Sequence, residues 1–216
     1  MAEWLNLTFH ALDSGIFNAF NGLAVSAGAF FTPFFEFISF FGKKGIFFIA
    51  VSVLLMCFKK TRRTGLTILL AIGIGALFTN IIIKNVVARA RPYTVDEFKG
   101  FWQMVGSVVE SEKSFPSGHA TVAMSAMTAL FLTCNKKWSW IGFIFALLIG
   151  ASRIYLVVHY FTDVFMGFIV GAVAALLAHL CTKRIVSAME KNPDKKFNAF
   201  FINADIMNLF KKKTEE

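Results

Sequence analysis

The sequence predicts an all-α polytopic membrane bundle of five to six transmembrane helices. Three observations predict it. Of 216 residues, 56% are hydrophobic, well above the share of an ordinary soluble domain. Apolar stretches recur along most of the chain at about the 20-residue length that spans a hydrocarbon core. Lys and Arg gather in alternate connections, the pattern that orients multi-pass membrane proteins.

Four strong spans can be read directly, over 65–84, 118–134, 138–158 and 161–181, with a shorter fifth over 45–58. Residues 16–41 are apolar but interrupted by Asn18, Asn21, Pro33 and Glu36. They are read either as a sixth, kinked span or as a pair of helices lying partly in the interface. The opening MAEWLNLTFH carries Glu3 and no Lys or Arg, so no cleavable signal peptide is expected.

Lys59, Lys60, Arg62 and Arg63 mark one cytoplasmic loop. Alternate threading then puts Lys136, Lys137, Lys183, Arg184 and the basic tail to Lys213 on the same side. The connection over 85–117 and the turn around His159 fall on the extracytoplasmic side. Residues 1–190 read as one membrane-embedded domain, and 191–216 as a basic cytoplasmic tail. Phe197, Phe200, Phe201, Ala204 and Met207 recur in that tail at helical spacing, which suits either an interfacial helix or a flexible segment. Cys57, Cys134 and Cys181 all land at cytoplasmic ends, where thiols stay reduced, so no disulfide is expected and they read as small buried hydrophobes. The formal charge of +9 follows from the membrane topology, and no nucleic-acid partner is expected.

Ionisable residues at the edge of a membrane bundle are costly and therefore mark function. Three clusters occur, all on the extracytoplasmic side. In KNVVARARP, Lys84 precedes Arg91 and Pro92 by six intervening residues; alone, a lysine leaving a membrane helix only snorkels. In SFPSGHA, Ser117 is placed to cap the next helix, whose first amides attract anions; Gly118 leaves room for an oxyanion, and His119 sits in the first turn. In SRIYLVVHYFTD, Arg153 closes one span, while His159 and Asp163 stand four residues apart, so that on a helix the carboxylate would orient the imidazole as a nucleophile. Two histidines, one carboxylate, three cations and a helix N-terminus suit phosphoryl transfer without a metal.

K-x6-RP, PSGH and SR-x5-H-x3-D are the signature motifs of the type 2 phosphatidic acid phosphatases, a family related to vanadium-dependent haloperoxidases. The chain resembles that family over about 84–163 and matches all three motifs. The resemblance implies His159 as the phosphorylated nucleophile, Asp163 as its orienting partner and His119 as general acid, then base. It implies Lys84, Arg91, Ser117, Gly118 and Arg153 as phosphate-binding residues, with no metal and no cofactor. Arg89 and Ser152 lie nearby without an assigned role.

The leading expectation is a lipid phosphate or diphosphate phosphatase of the plasma membrane, with undecaprenyl diphosphate as the foremost substrate. Phosphatidic acid and phosphatidylglycerol phosphate stay open, as does a lipid-binding or lipid-translocating protein without turnover. Oligomeric state is left open. His10 and His179 are expected to be structural, and Glu36 to be interfacial or to line a substrate path. Phe98, Phe101, Trp102, Met104 and Val105, beside Asp96, Glu97, Glu110 and Glu112, are expected to rest on the bilayer, with Phe101 and Trp102 edging a lateral opening for a lipid tail.

Overall fold

A computed structural model describes residues 1–110 and 113–207. Glu112 and, of the tail lysines, Lys211 to Lys213 lie outside the described residues. Eight helices, with short turns between them, carry the described fold: α1 (Ala2–Gly42), α2 (Ile46–Met56), α3 (Arg62–Ala76), α4 (Asp96–Met104), α5 (Gly118–Thr133), α6 (Ile141–Tyr155), α7 (Phe161–Glu190) and α8 (Lys196–Asn203). Four segments among the described residues are long and apolar enough to cross a membrane: Ala2–Met56, Arg62–Thr94, Lys136–Tyr155 and Phe161–Glu190. The fold is therefore an all-helical membrane bundle with four or more candidate spans. At 16 residues, α5 is shorter than a lone span needs. It is the central helix, packed on α3, α6 and α7, and protein rather than lipid surrounds most of it.

The open question over residues 16–41 resolves into a hairpin. Helical hydrogen bonding runs from Ala2 to Gly42, but Ala27 leaves helical geometry at φ −149°, ψ 36°. Phe20 and Phe35 would stand ~22 Å apart on a straight helix, yet their rings are 6.1 Å apart and both touch Tyr155. Two arms, residues 2–26 and 28–42, thus fold back on one another over α6. Aromatic residues fill the junction: Phe17, Phe20 and Phe35 pack with Phe98, Phe101, Tyr155 and Tyr160.

Packing between α5 and α7 follows the opposite rule. A Cβ on Gly167 would lie 2.7 Å from the Ser117 carbonyl oxygen, and one on Gly171 2.5 Å from that of Thr121. The two backbones are in contact, as small residues permit in membrane bundles. Beyond Ala76, α3 widens into a π-helical stretch, Leu77–Ile83, before a last α-turn, Lys84–Val87. Such widened turns are frequent beside functional sites.

At the other end of the bundle, α8 rests against the α2–α3 turn. The buried Arg62 guanidinium donates to the carbonyls of Phe201 and Ala204, while its Nε donates to Met56 O at 2.9 Å. This satisfies carbonyls at the end of α8 that lack helical partners. Cys57, Cys134 and Cys181 are exposed rather than buried. Cys57 and Cys134 follow the last residues of α2 and α5, where the chain leaves the packed bundle, and Cys181 lies on an exposed position of α7, so the expectation of buried cysteines is corrected.

Candidate active site

The three motifs converge at one end of α3, α5, α6 and α7. His159 sits in the α6–α7 turn and is 2% exposed. The turn holds Val157 in the left-handed region at φ 56°, a strained setting for a β-branched residue. It is secured by the Arg153 carbonyl, which accepts from the amides of both Val158 and His159 at 3.2 Å.

Asp163 is fully buried in the first turn of α7. Its Oδ2 accepts from the Tyr160 amide at 3.0 Å and lies 3.4 Å from His159 Nδ1. His159 itself precedes the helix, so the pair does not meet by sharing a helical face. The helix cap brings them together: Asp163 reaches back to the N-terminal amide and finds the imidazole beside it. The other ring nitrogen, Nε2, lies 3.1 Å from Arg91 Nη1, which also donates to the Val158 carbonyl at 2.6 Å.

Burial, together with the charges of Arg91, Arg153 and Lys84, holds the His159 imidazole well below the usual histidine range. It is therefore neutral at physiological pH, the form a nucleophile requires.

Ser117 caps α5, its Oγ accepting from Ala120 N at 3.5 Å. Its own amide donates to the Asp163 carbonyl at 2.9 Å, which locks the second motif to the third. The amides of Gly118 and His119 come next, and first-turn amides have no intrahelical acceptor. A Cβ at Gly118 would meet only Asn80 Oδ1, at 3.7 Å, so the space over these amides is open to an anion. The His119 ring is held by the end of α1, where a Cβ on Gly42 would lie 2.6 Å from His119 Cδ2.

Arg153 is buried and donates from Nη1 to Ser39 Oγ and from Nη2 to Glu110 Oε1, the latter at 2.6 Å. Its Nε has no partner among the described residues. Lys84 is half-buried and within electrostatic reach of Arg91, Glu110, Asp163 and Arg153. A cavity of about 320 Å³ opens beside Arg153 and His119, bounded by Glu36, Ser39 and Phe40 of α1, by Lys43 just after it, and by Val108, Val109 and Glu110.

All eight residues expected at the site lie at this end of the bundle. Glu36 lines the cavity rather than standing apart. Phe101 is corrected: it is buried against Tyr155 and edges no opening. Trp102 stacks on Tyr93 and donates to Val108 O at 2.8 Å, behind the rim that Phe40, Val108 and Val109 form.

Sequence reasoning missed Asp13, Ser39 and the part played by Arg89. Arg89 Nη1 donates to Asp163 Oδ1 at 2.8 Å, and Nη2 donates to Asp13 Oδ2 at 2.9 Å. The available signal was Asp13 itself, a carboxylate inside an apolar run.

Over 143 residues the chain is 34% identical to an undecaprenyl-diphosphatase of Sulfolobus acidocaldarius, a match covering 66% of each chain. Over 126 residues it is 34% identical to phosphatidylglycerophosphatase B of Bacillus subtilis, covering 54% of this chain and 57% of that one. The matched parts thus span just under two thirds and just over half of these relatives' lengths. Among solved structures, a transmembrane PAP2-type phosphatidylglycerolphosphate phosphatase of Bacillus subtilis superposes with a TM-score of 0.63 at 25% identity, covering 82% of this chain and 88% of that one. The model of the PAP2 superfamily matches residues 64–187, more than half of the sequence and all three motifs, and the chain belongs to that superfamily.

Proposed function

We propose that this protein is a membrane phosphatase that hydrolyses a lipid phosphate or diphosphate through a phosphohistidine intermediate, with the site facing the extracytoplasmic side and the tail in the cytoplasm. The observation that carries the reading is His159, buried and neutral, held between the Asp163 carboxylate on Nδ1 and the Arg91 guanidinium on Nε2. A binding protein would need the cations but not the oriented imidazole.

In the first step His159 Nε2 attacks phosphorus, the bond from phosphorus to the leaving oxygen breaks, and His119 gives that oxygen its proton. In the second, water attacks phosphorus, the bond from phosphorus to His159 Nε2 breaks with its electron pair returning to the nitrogen, His119 takes the water proton, and phosphate leaves. Arg91 moves from the imidazole to the phosphoryl oxygens as substrate enters, and the phosphate displaces Glu110 from Arg153. The unpartnered Arg153 Nε and the first-turn amides of α5 supply further donors. Lys84, Arg91 and Arg153 supply the positive charge that stabilises the transition state. Side selection rests on the Lys and Arg distribution, which puts the connection bearing the site opposite the basic loops.

The lipid tail enters between Phe40 and Val108–Val109, because Phe40 and Val109 are exposed apolar side chains among those that line the cavity. Undecaprenyl diphosphate is the foremost substrate, supported by the relative of that name at 34% identity. Phosphatidylglycerol phosphate is the second reading, supported by the Bacillus subtilis relative and structure.

Purified wild type and His159→Ala, in detergent with excess chelator, are to be compared for phosphate release from both lipids and from phosphatidic acid. Release by wild type alone is expected, and the preferred lipid names the substrate. Equal release by His159→Ala, or loss of wild-type release in chelator, refutes the mechanism. Specific binding of the lipids without release favours a binding or translocating protein.

A further inference from the structure

The most deeply buried charges beyond the eight site positions are Arg89 and Asp13, at 1% and 2% exposure. Their hydrogen bonding is extensive. Besides its two carboxylate contacts, Arg89 donates from Nη1 to Thr162 Oγ1 and from Nε to Asn6 Oδ1, both at 2.7 Å. Its guanidinium carbon stands 3.6 Å from the centre of the Tyr160 ring. Asp13 in turn accepts from Thr162 N at 3.0 Å and from Thr162 Oγ1 at 2.9 Å. Asp13 and Asn6 belong to the first arm of α1, outside residues 64–187 that the superfamily model matches.

Charge balance gives the contact a purpose. Arg89 and Asp163 alone would neutralise one another, leaving His159 before three cations with no net negative charge behind it. Asp13 supplies a second carboxylate to the same guanidinium. The trio Asp13, Arg89 and Asp163 then carries one net negative charge, and Asp163 Oδ2, which Arg89 does not touch, is the atom turned toward the imidazole. A buried guanidinium shared by two carboxylates is also fixed in direction by its planar fork.

We propose that Asp13 and Arg89 are positioning residues that act through Asp163: together they hold its carboxylate in place and keep its negative charge available to His159, which makes the N-terminal arm of α1 a working part of the catalytic site. For its effect on turnover this rests on the phosphohistidine reading. For its effect on the protonation of His159 it does not.

The charged and titratable groups facing His159 are Lys84 and Arg91 from the end of α3 and the segment after it, His119 from α5, Arg153 from α6, itself paired with Glu110, and Asp163 from α7. Those facing Asp163 are His159, Arg89 with Asp13 beyond it, Lys84, Arg91 and Tyr160, whose phenol burial pushes up to about 12, so that it stays neutral beneath the guanidinium. All of these groups except the one replaced are constant between the variants below.

The test follows the His159 side-chain nitrogen resonances across pH in detergent micelles for wild type, Asp13→Asn, Arg89→Gln and the double variant, with phosphate release measured in parallel. Removing the negative charge disfavours the imidazolium, so Asp13→Asn lowers the His159 titration midpoint by about one unit. Removing the positive charge in Arg89→Gln raises it by about as much. The double variant restores the balance and returns close to wild type.

Turnover follows the charge: kcat of Asp13→Asn falls about tenfold with KM little changed, and the double variant recovers part of that loss. Shifts of the same sign in both single variants, or none, overturn the proposal. Should a single variant fail to fold because it leaves a buried charge uncompensated, the double variant lacks both charges, and a His159 midpoint displaced from wild type overturns the proposal by itself. If wild type releases no phosphate from any lipid, the phosphatase reading falls while opposite shifts still sustain the clamp; normal release without those shifts removes the clamp alone.

Discussion

The α5–α7 face and the α1–α6 face flank the same site and are built on opposite principles. Where α5 meets α7, glycines bring backbone against backbone, and the Ser117 amide is bonded to the Asp163 carbonyl at 2.9 Å. Nothing between them can give way. Where α1 lies over α6, aromatic rings make most of the contact, with two side-chain hydrogen bonds, Thr32 Oγ1 to Tyr155 Oη at 2.8 Å and Arg153 Nη1 to Ser39 Oγ. Rings can turn and slide. The difference teaches that the start of α5 and the Asp163 carboxylate are fixed relative to one another, whereas the α1 face beside the cavity is packed by side chains able to adjust.

Gly171→Val should break the rigid face. Its Cβ would land 2.5 Å from the Thr121 carbonyl oxygen and 2.9 Å from the Ser125 amide nitrogen, both backbone atoms that cannot rotate away. A loss of about 3 kcal/mol is expected, at the upper end for an overpacked core, with phosphate release abolished because α5 must shift from Asp163. Thermal unfolding in detergent and an activity assay check both. Retained stability and activity would show that the face is not tight.

Tyr155→Phe should sharpen the contrast by leaving the ring packing intact and deleting only the hydroxyl that meets Thr32. Stability should fall by about 1 kcal/mol, the worth of one hydrogen bond, with kcat/KM within about fivefold of wild type. A loss as large as that of Gly171→Val would mean that the α1 face is equally unforgiving.

The smallest effect is expected from pH, read at the junction of the two faces. The fold favours neutral His159 over its ordinary value of 6.5, so the acid limb of kcat/KM should fall below pH 6.5. Stability carries the same sign. A histidine whose folded pKa is depressed contributes fully above its unfolded value, and that contribution is lost as pH falls below 6.5 toward the folded value. A pH–rate profile and a thermal-unfolding series between pH 8 and about 5 test it; an acid limb above 6.5 would mean that the cations do not face the imidazole.

Much of the site was legible because its motifs pack chemistry into short spacings: Ser117, Gly118 and His119 are adjacent, and His159 and Asp163 lie one turn apart. Even there the reason differed from the expectation, since a helix cap rather than a shared helical face joins His159 to Asp163. The fifth span over 45–58 was close to the observed α2, and the 118–134 span matches α5 to within a residue. The last span runs nine residues further than 161–181, because Lys183, Arg184 and Ser187 continue the helix beyond its apolar part. Glu110 and Ser39 could not be assigned to Arg153, for they come from separate segments 43 and 114 residues away.

By itself the sequence determined the class of fold, since long apolar runs can satisfy their backbone in lipid only as helices, and it carried the three motifs whose residues are proposed to react, since side-chain chemistry is set by residue identity. Only the tertiary structure decided which way α1 turns at Ala27, which charges share Arg89, and where the cavity opens. These depend on contacts such as those of Arg89 with Asp13 and Asp163, 76 and 74 positions away from it. Local periodicity carries no information about such contacts; they form only once helix packing and the cost of burying charge are satisfied together.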